Sequence, residues 1–264
     1  MRRLIAFSCG GDELAASLDG AGGATGLLMV TGGSQTRIGS HRMYERLGKA
    51  LGDKGYPCLR FDRRGVGDSA GGDPDFRGSG SDIAAAAAVL RRECPALRRV
   101  LGFGLCDGAT AIALFGREAG LDGLILVNPW LVEAEPGEPA PAAIRAHYRR
   151  RLLSLEGWKK ILSGTVDYRK LLSGVRKIAA KRQVSRLAHD TAAALANGGL
   201  RAWLILAERD ATAIAADQEL KAPAFKGLIE GSYNVASDSH TFARPGDAAA
   251  LLAGVLRALE ALAA

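Results

Sequence analysis

No uninterrupted apolar run in this sequence approaches the roughly 20 residues that a membrane-spanning helix requires. The apolar stretch Leu4–Phe7, which follows two arginines, is too short for a signal peptide, and no A-x-A cleavage site follows it. Signs of intrinsic disorder are also missing, because 48% of the residues are hydrophobic and 24% are charged. The sequence therefore predicts a globular, cytoplasmic protein without a transmembrane segment.

Cysteine is scarce, and its few positions show no C-x-x-C spacing. This pattern argues against a structural zinc site and against a redox-active pair. In a reducing compartment, all of these thiols are expected to be free. The sequence implies neither a metal ion nor an organic cofactor. The four cysteines are Cys9, Cys58, Cys94 and Cys106.

Aromatic residues make up only 6% of the chain, and its three tryptophans do not interleave with the basic runs. A stacking platform for nucleic acid would require that pattern, so no nucleic-acid partner is expected. The net charge of +7 is nevertheless concentrated, because residues 145–190 contain 13 basic and 3 acidic side chains. A solvated basic face is one interpretation of this segment, and the capture of an anionic substrate or carrier is the other.

The sequence alternates short apolar runs with helical patterns. Near-continuous apolar strands, each followed by a helix, predict an α/β fold with a mostly parallel twisted sheet that helices cover on both faces. A hairpin signal around Cys9–Asp12 predicts an antiparallel N-terminal edge. The expected strands are 3–8, 13–18, 26–31, 57–61, 99–104, 121–128, 200–207 and 224–230, and the expected helices are 40–54, 81–93, 107–118 and 247–262.

Residues 129–199 interrupt this alternation because they show no strand pattern and carry most of the basic excess. We interpret them as a helical basic cap over the carboxyl ends of the strands, where open α/β sheets hold their sites. The core then comprises 1–128 and 200–264.

The junction between one strand and the following helix contains the pattern G-x-C-x-G, formed by Gly104, Cys106 and Gly108. In the related serine pattern, a nucleophile occupies a strained strand-to-helix turn, and flanking glycines avoid clashes. The helix N-terminus then favours a thiolate over a thiol. A buried cysteine beside a packing glycine is the simpler alternative, but the strand–turn–helix setting favours a nucleophile at Cys106.

A nucleophile of this kind requires a base and an orienting acid, which follow it in the order acid, histidine. His240 lies in a polar loop between the last strand and the last helix, where the base is expected, whereas the other three histidines fall in helical or cap segments. Asp210 follows the preceding strand and is the favoured acid. Asp238 is the competitor, but its position two residues from His240 makes a direct approach to the imidazole awkward.

An oxyanion hole requires two backbone N–H donors. The residue after the nucleophile, Asp107, is expected to supply one. The turn after the third strand contains Gly32 and Gly33, which allow the backbone to face a ligand. We predict Ser34 as the second donor, with Gly33 as the close alternative.

These residues together resemble the α/β-hydrolase fold over nearly the whole chain, and more narrowly the exosortase A system-associated hydrolases of the first type. The resemblance implies a bacterial cytoplasmic protein encoded with exopolysaccharide and protein-sorting genes. Dienelactone hydrolases also use cysteine at the elbow but lack a long basic cap, and lipases and aminopeptidases of this fold use serine. The strings that carry the resemblance are Gly32–Arg42, Asp62–Ser69, Gly104–Ala109, Asn128–Trp130, His147–Tyr148, Arg151–Leu153 and Trp158–Gly164.

The sequence therefore predicts a Cys-His-Asp hydrolase that cleaves a small-molecule ester or thioester through an acyl-enzyme intermediate. Two alternatives stay open at this level. An acyltransferase would pass the acyl group to a sugar or lipid hydroxyl, and a non-catalytic binding module would keep only the fold. The acyl group, the leaving group and the oligomeric state are not specified by these motifs.

Overall fold

The computed structural model describes residues 2–132 and 184–263. Within these ranges, strands and helices alternate along the chain. The strands are β1 (Arg2–Cys9), β2 (Asp12–Asp19), β3 (Thr25–Val30), β4 (Cys58–Phe61), β5 (Arg99–Leu105), β6 (Gly123–Val127), β7 (Ala202–Ala207) and β8 (Ile229–Val235). The α-helices are α1 (Met43–Gly52), α2 (Gly80–Glu93), α3 (Asp107–Phe115), α4 (Arg186–Gly198), α5 (Ala211–Leu220) and α6 (Asp247–Ala263).

The described strands form one sheet in the order β1-β2-β4-β3-β5-β6-β7-β8. Strand β2 pairs antiparallel with β1 on one side and with β4 on the other, and the remaining described pairs are parallel. Gly10 and Gly11 make the tight turn of the first hairpin, and both have positive φ angles. The predicted fold class, a mostly parallel sheet with an antiparallel N-terminal edge, is confirmed.

Two apolar clusters lie on opposite faces of the sheet, because alternate strand residues point to opposite sides. In β3, Leu28 and Val30 belong to one cluster, together with residues of α2, α3, α4 and α5. Leu27 and Met29 belong to the other cluster, together with residues of α1 and α6. Both faces of the sheet are therefore buried beneath helices, which explains the near-continuous apolar strands.

The parallel pairing aligns the carboxyl ends of the strands that matter for function. Val30 at the end of β3 lies opposite Gly104 in β5, two residues before Cys106. Ala207 at the end of β7 lies opposite Val235 at the end of β8. The loops that contain Ser34, Cys106, Asp210 and His240 therefore leave the sheet at the same edge.

The predicted last strand at 224–230 is wrong. Pro223–Phe225 forms a 3-10 helix, and Gly227 has a φ of +79°. Neither conformation is extended, so the strand cannot begin at residue 224. Strand β8 instead begins at Ile229 and runs to Val235. Proline at the start of the short helix and glycine in the following turn shift the extended segment by five residues at each end.

Helix α5 was not predicted from the sequence. Its residues are only weakly amphipathic, and four of its ten positions are alanine. The helix nevertheless has a clear start, because the carboxylate of Asp210 accepts a hydrogen bond from the N–H of Ala213. Asp210 is therefore its N-cap, which is a favoured role for aspartate.

Most of the predicted cap, residues 133–183, lies outside the described residues, and so does most of the basic segment 145–190. The C-terminal part of that region forms α4, whose Leu187, Ala188 and Leu195 are buried against the body of the fold. The division into core and cap stays a prediction. No helix within residues 2–132 and 184–263 is long and apolar enough to cross a membrane.

Candidate functional site

Cys106 occupies a sharp turn between β5 and α3, with φ 60° and ψ −128°. This conformation is rare for a residue with a side chain and indicates local strain. Two glycines permit the turn. A Cβ on Gly104 would lie 2.5 Å from the carbonyl oxygen of Gly108, and a Cβ on Gly108 would lie 2.6 Å from the carbonyl oxygen of Val30. The strand, turn and helix therefore approach one another more closely than any other residue type allows.

Cys106 is partly exposed, whereas Cys9, Cys58 and Cys94 are buried. Burial raises the pKa of each of those three thiols above its ordinary value. Cys106 is also the residue immediately before the first turn of α3, where unpaired N–H groups and the helix dipole favour negative charge. Among the four thiols, Cys106 is thus the one whose surroundings suit a nucleophile.

His240 and Asp210 are joined directly, with 2.9 Å between Nδ1 of the imidazole and Oδ2 of the carboxylate. Asp210 is buried, and it is fixed by the same oxygen that caps α5. Burial acts to lower the pKa of His240, but hydrogen bonds from its ring to Asp210 and Cys106, with their negative charges, raise the pKa from 6.5 to about 10. The structure therefore joins His240 to Asp210 by a hydrogen bond and places His240 with Cys106 on the wall of one cleft.

Asp238, the competing acid, lies apart from this set. Its carboxylate is exposed and accepts a hydrogen bond of 2.9 Å from Nε of Arg244. That hydrogen bond holds the pKa of Asp238 below its ordinary value. The geometry thus joins Asp210 to His240 and engages Asp238 elsewhere.

Two of the other three histidines are described, and neither contacts Cys106. His41 has a φ of 41° and its Nε2 lies 2.8 Å from the carbonyl oxygen of Thr241. His189 is exposed on α4, 3.7 Å from a carboxylate oxygen of Asp190. His147 lies outside the described residues.

The turn after β3 lies directly against the start of α3. The N–H of Gly33 donates to Oδ1 of Asp107 over 2.7 Å. A Cβ on Gly32 would lie 2.5 Å from that same oxygen. The N–H of Ser34 has no acceptor within the part of the chain that the structure describes. Gly33 is therefore occupied, which leaves Ser34 and the N–H of Asp107 as the available pair of donors.

Tyr44 connects the two sides of this site, although sequence reasoning did not single it out. Its buried hydroxyl donates to the carbonyl oxygen of Val30 over 2.8 Å and accepts from the N–H of Leu105 over 3.0 Å. One side chain thus spans the ends of β3 and β5. Burial raises the pKa of Tyr44, which keeps this hydroxyl neutral.

Asn128 makes an equivalent connection on the other side. It is fully buried with a φ of 41°, and its Oδ1 accepts from the N–H of Ala207 over 2.8 Å. Its Nδ2 donates to the carbonyl oxygen of His240 over 3.0 Å. Asn128 therefore fixes the His240 loop against the end of β7, from which Asp210 follows.

These groups line an open cleft of about 450 Å³ at the carboxyl edge of the sheet. Its walls combine the predicted donors and nucleophile with two aromatic side chains. The lining residues are Gly32, Gly33, Ser34, Gln35, Phe76, Cys106, Asp107, Trp130 and His240. Within residues 2–132 and 184–263, no group of three or more His, Cys, Asp and Glu side chains is placed to hold a metal ion.

A mostly parallel eight-stranded sheet, with a strained strand–turn–helix elbow above its carboxyl edge, is the architecture of the α/β-hydrolases. The comparison with known families agrees. The chain belongs to the α/β-hydrolase family described as serine aminopeptidase, S33, whose profile matches residues 34–224. The protein is thus a member of a hydrolase family, with cysteine at the elbow where the family description names serine.

Solved structures share this fold at low sequence identity. An esterase from Pyrococcus furiosus is 15% identical with a TM-score of 0.62, over 97% of this chain and 91% of that one. A dienelactone hydrolase from Anabaena variabilis is 15% identical with a TM-score of 0.63, over 98% and 97% of the two chains. A thioesterase domain from the curacin biosynthetic pathway is 14% identical with a TM-score of 0.59, over 97% and 99%. No curated protein matches the sequence.

Proposed function

We propose that this protein is a cysteine hydrolase that cleaves a small-molecule ester or thioester through an acyl-enzyme intermediate. The observation that carries the proposal is the hydrogen-bonded pair of His240 and Asp210, whose imidazole lines the same open cleft as Cys106. The elbow conformation of Cys106 supports it, because strain of this kind persists where function requires it. An esterase and a thioesterase among the structures with this fold are consistent with the substrate class.

In the proposed reaction, the sulfur of Cys106 attacks the acyl carbon while its proton resides on His240. Asp210 holds the imidazole in one orientation and stabilises its positive charge. The raised pKa of His240 favours the imidazolium form of its side chain at neutral pH.

The N–H groups of Ser34 and Asp107 then stabilise the oxyanion of the tetrahedral intermediate. Such a donor contributes about 2.7–4 kcal/mol in well-studied cases. As the intermediate collapses, the bond from the acyl carbon to the leaving oxygen or sulfur breaks, and His240 gives that atom its proton.

The second half of the reaction returns the enzyme to its starting state. His240, now neutral, takes a proton from a water molecule, and the resulting hydroxide attacks the acyl carbon. The carbon–sulfur bond breaks, the free acid leaves, and the proton returns to the Cys106–His240 pair. With a sugar or lipid hydroxyl in place of water, the same steps would give acyl transfer.

Steady-state turnover of a panel of acyl thioesters and aryl esters tests this proposal. We expect Cys106→Ala to abolish turnover, and Cys94→Ala, at a buried thiol that does not line the cleft, to leave it unchanged. Product analysis with and without an added hydroxyl acceptor distinguishes hydrolysis from transfer. Undiminished turnover by folded Cys106→Ala would refute the cysteine mechanism, whichever acceptor is used.

We further propose that residues 129–199 cap this cleft and that their basic side chains attract an anionic substrate or carrier. The resemblance to exosortase A system-associated hydrolases supports a role in exopolysaccharide chemistry and a cytoplasmic location. The dependence of turnover on ionic strength, compared between charged and neutral substrates, tests whether the basic side chains attract the substrate.

A further inference from the structure

Arg63 is a buried cation next to the predicted oxyanion-hole turn. It follows β4, and its side chain is 3% exposed. Its Nη2 donates to the carbonyl oxygen of Gly33 over 2.5 Å. Gly33 lines the cleft beside Cys106, so this contact links a buried guanidinium to the wall of the candidate site.

The contact acts on the peptide group that contains the predicted donor. The carbonyl of Gly33 and the N–H of Ser34 belong to one planar peptide unit. A cation that binds the oxygen of this unit fixes its orientation and draws electron density away from its nitrogen. The N–H of Ser34 thereby becomes a better-aligned and stronger donor.

Gly33 is held from its other side as well. Its own N–H donates to the carboxylate of Asp107, and its φ is +55°. One glycine is therefore fixed between the Asp107 anion and the Arg63 cation, through two successive peptide units. The turn cannot rotate without breaking a charge-assisted hydrogen bond, which is worth more than a neutral one.

The other contacts of Arg63 stabilise the fold too little to explain why this side chain is buried. Among the described residues, its Nε and Nη1 atoms have no hydrogen-bond partner. Its ion-pair contact there is Oδ1 of Asp73, 3.9 Å from Nη1. Burying unpaired N–H groups of a cation is unfavourable, so a side chain kept here for stability alone would be better replaced by an apolar one.

The neighbouring Arg64 is a structural arginine in the same loop, because polar atoms of its side chain are paired with nearby side chains. Its Nε lies 2.7 Å from the carboxylate of Asp82, and its Nη2 donates to the hydroxyl of Ser81 over 2.7 Å. Within the described residues, no hydrogen bond or ion pair joins Arg64 to the Gly32–Ser34 turn. It therefore provides a matched control one residue away.

We propose that Arg63 is a positioning residue for oxyanion stabilisation, which acts by orienting and polarising the Gly33–Ser34 peptide. This inference rests on the proposed acyl-enzyme chemistry. It predicts that loss of Arg63 slows the step that builds charge on the acyl oxygen and leaves the reactivity of the thiol itself unchanged.

Two reactions of Cys106 separate these effects. Acylation by an aryl ester or an acyl thioester passes through an oxyanion, whereas alkylation by iodoacetamide does not. For Arg63→Met, we expect the maximal acylation rate to fall about 10- to 100-fold with little change in the half-saturating substrate concentration. Alkylation should stay within about threefold of wild type, because it builds no charge on an acyl oxygen and so does not use the oxyanion-hole donors.

Thermal unfolding completes the test. The melting temperature of Arg63→Met should equal or exceed that of wild type, because an incompletely paired buried cation is removed. Arg64→Met should show the opposite pattern, with a lower melting temperature and nearly normal acylation. Arg63→Lys keeps the charge and loses the planar fork, so its acylation rate should lie between wild type and Arg63→Met.

Normal acylation by Arg63→Met would overturn the inference. An equal loss of acylation and alkylation with a lower melting temperature would also overturn it, since Arg63 would then be structural. Should Arg63→Met fail to fold, an Arg63→Lys enzyme with wild-type acylation would have the same consequence. If wild type itself alkylates but never acylates, the proposed function fails first, and the inference fails with it.

Discussion

Burial sets Cys106 apart from the other three thiols of the chain. Cys9, Cys58 and Cys94 lie in the apolar core, where the thiolate is disfavoured and reagents have little access. Cys106 reaches the cleft from a helix N-terminus and interacts with His240. The reactivity that we propose for Cys106 therefore follows from its position in the fold, since the other three cysteines have the same side chain.

We accordingly expect iodoacetamide at neutral pH to label Cys106 fastest. Peptide mapping of partially labelled protein measures the four rates separately. His240→Ala should slow the labelling of Cys106, because it removes the partner that accepts the thiol proton. Labelling of Cys9 or Cys94 ahead of Cys106 in the native protein would contradict this ranking.

The pKa of His240, raised to about 10, gives a second prediction at this scale. The folded-state value lies above the ordinary 6.5, so the imidazolium contributes to stability below pH ~6.5, and this contribution is lost as the pH rises through about 10. If protonated His240 is the general acid, the alkaline limb of kcat/KM should lie near pH 10 as well. A pH–rate profile with a stable neutral ester measures this limb.

Asp210→Asn removes one of the causes that raise this pKa, so its alkaline limb should move to lower pH. Its turnover should also fall by orders of magnitude, as the corresponding change does in a serine triad. Asp238→Asn should be mild because Asp238 is exposed and pairs with Arg244. A reversed ranking of these two folded variants would transfer the role of the acid to Asp238.

At the level of whole elements, the site is assembled from helix starts and strand ends. Helix α3 begins at Asp107, directly after the proposed nucleophile, and α5 begins after its N-cap Asp210. Tyr44 on α1 fastens β3 to β5, and Asn128 fastens the end of β7 to the His240 loop. Rigid elements thus position each reactive group, although the groups themselves lie in loops.

Asp210 caps helix α5 and also binds His240, so different substitutions at this position can separate an effect on stability from an effect on catalysis. Asp210→Ala and Asp210→Asn should both lose the stability that comes from the ion pair with His240. Asp210→Ala should be less stable than Asp210→Asn by a further ~1 kcal/mol, because alanine also removes the N-cap of α5, whereas asparagine caps helices as well as aspartate does. Urea unfolding of both variants measures the difference, and both should be catalytically impaired. Equal destabilisation by the two substitutions would show that the cap is not the source of the effect.

At the level of the whole molecule, the parallel topology brings together residues that are far apart in sequence. Ser34, Cys106, Asp210 and His240 follow β3, β5, β7 and β8, whose carboxyl ends share one edge of the sheet. The body of the chain outside residues 145–190 has 22 basic and 25 acidic side chains, so its net charge is slightly negative. The strongly basic segment belongs to the proposed cap.

If the basic segment attracts an anionic substrate, salt should separate charged from neutral substrates. The kcat/KM for a charged acyl thioester should fall as ionic strength rises, because exposed charges are screened beyond about 8 Å at physiological salt. The kcat/KM for a small neutral ester should hardly change. Equal salt dependence for both substrates would show that the basic segment does not attract the substrate.

Much of this architecture could be predicted from the sequence, because buried parallel strands are apolar throughout and their helices follow a regular period. The elbow glycines and the His240 loop were also predictable, since their spacing is local. Helix α5 could not be predicted, because its apolar residues follow the helical period only weakly. The start of β8 could not be predicted either, because a short 3-10 helix that begins with proline precedes it. The contacts of Tyr44, Asn128 and Arg63 depend on partners distant in sequence, so no local pattern indicates them.

Locating an acyl group on Cys106 tests the proposed chemistry most directly. The protein is mixed with an acyl thioester, quenched in acid within the first turnover and analysed by intact-mass spectrometry and peptide mapping. We predict one added acyl mass on the peptide that contains Cys106, released by neutral hydroxylamine as a thioester should be, and absent from Cys106→Ala. Turnover without any such adduct, or an adduct that persists in Cys106→Ala, would contradict the mechanism.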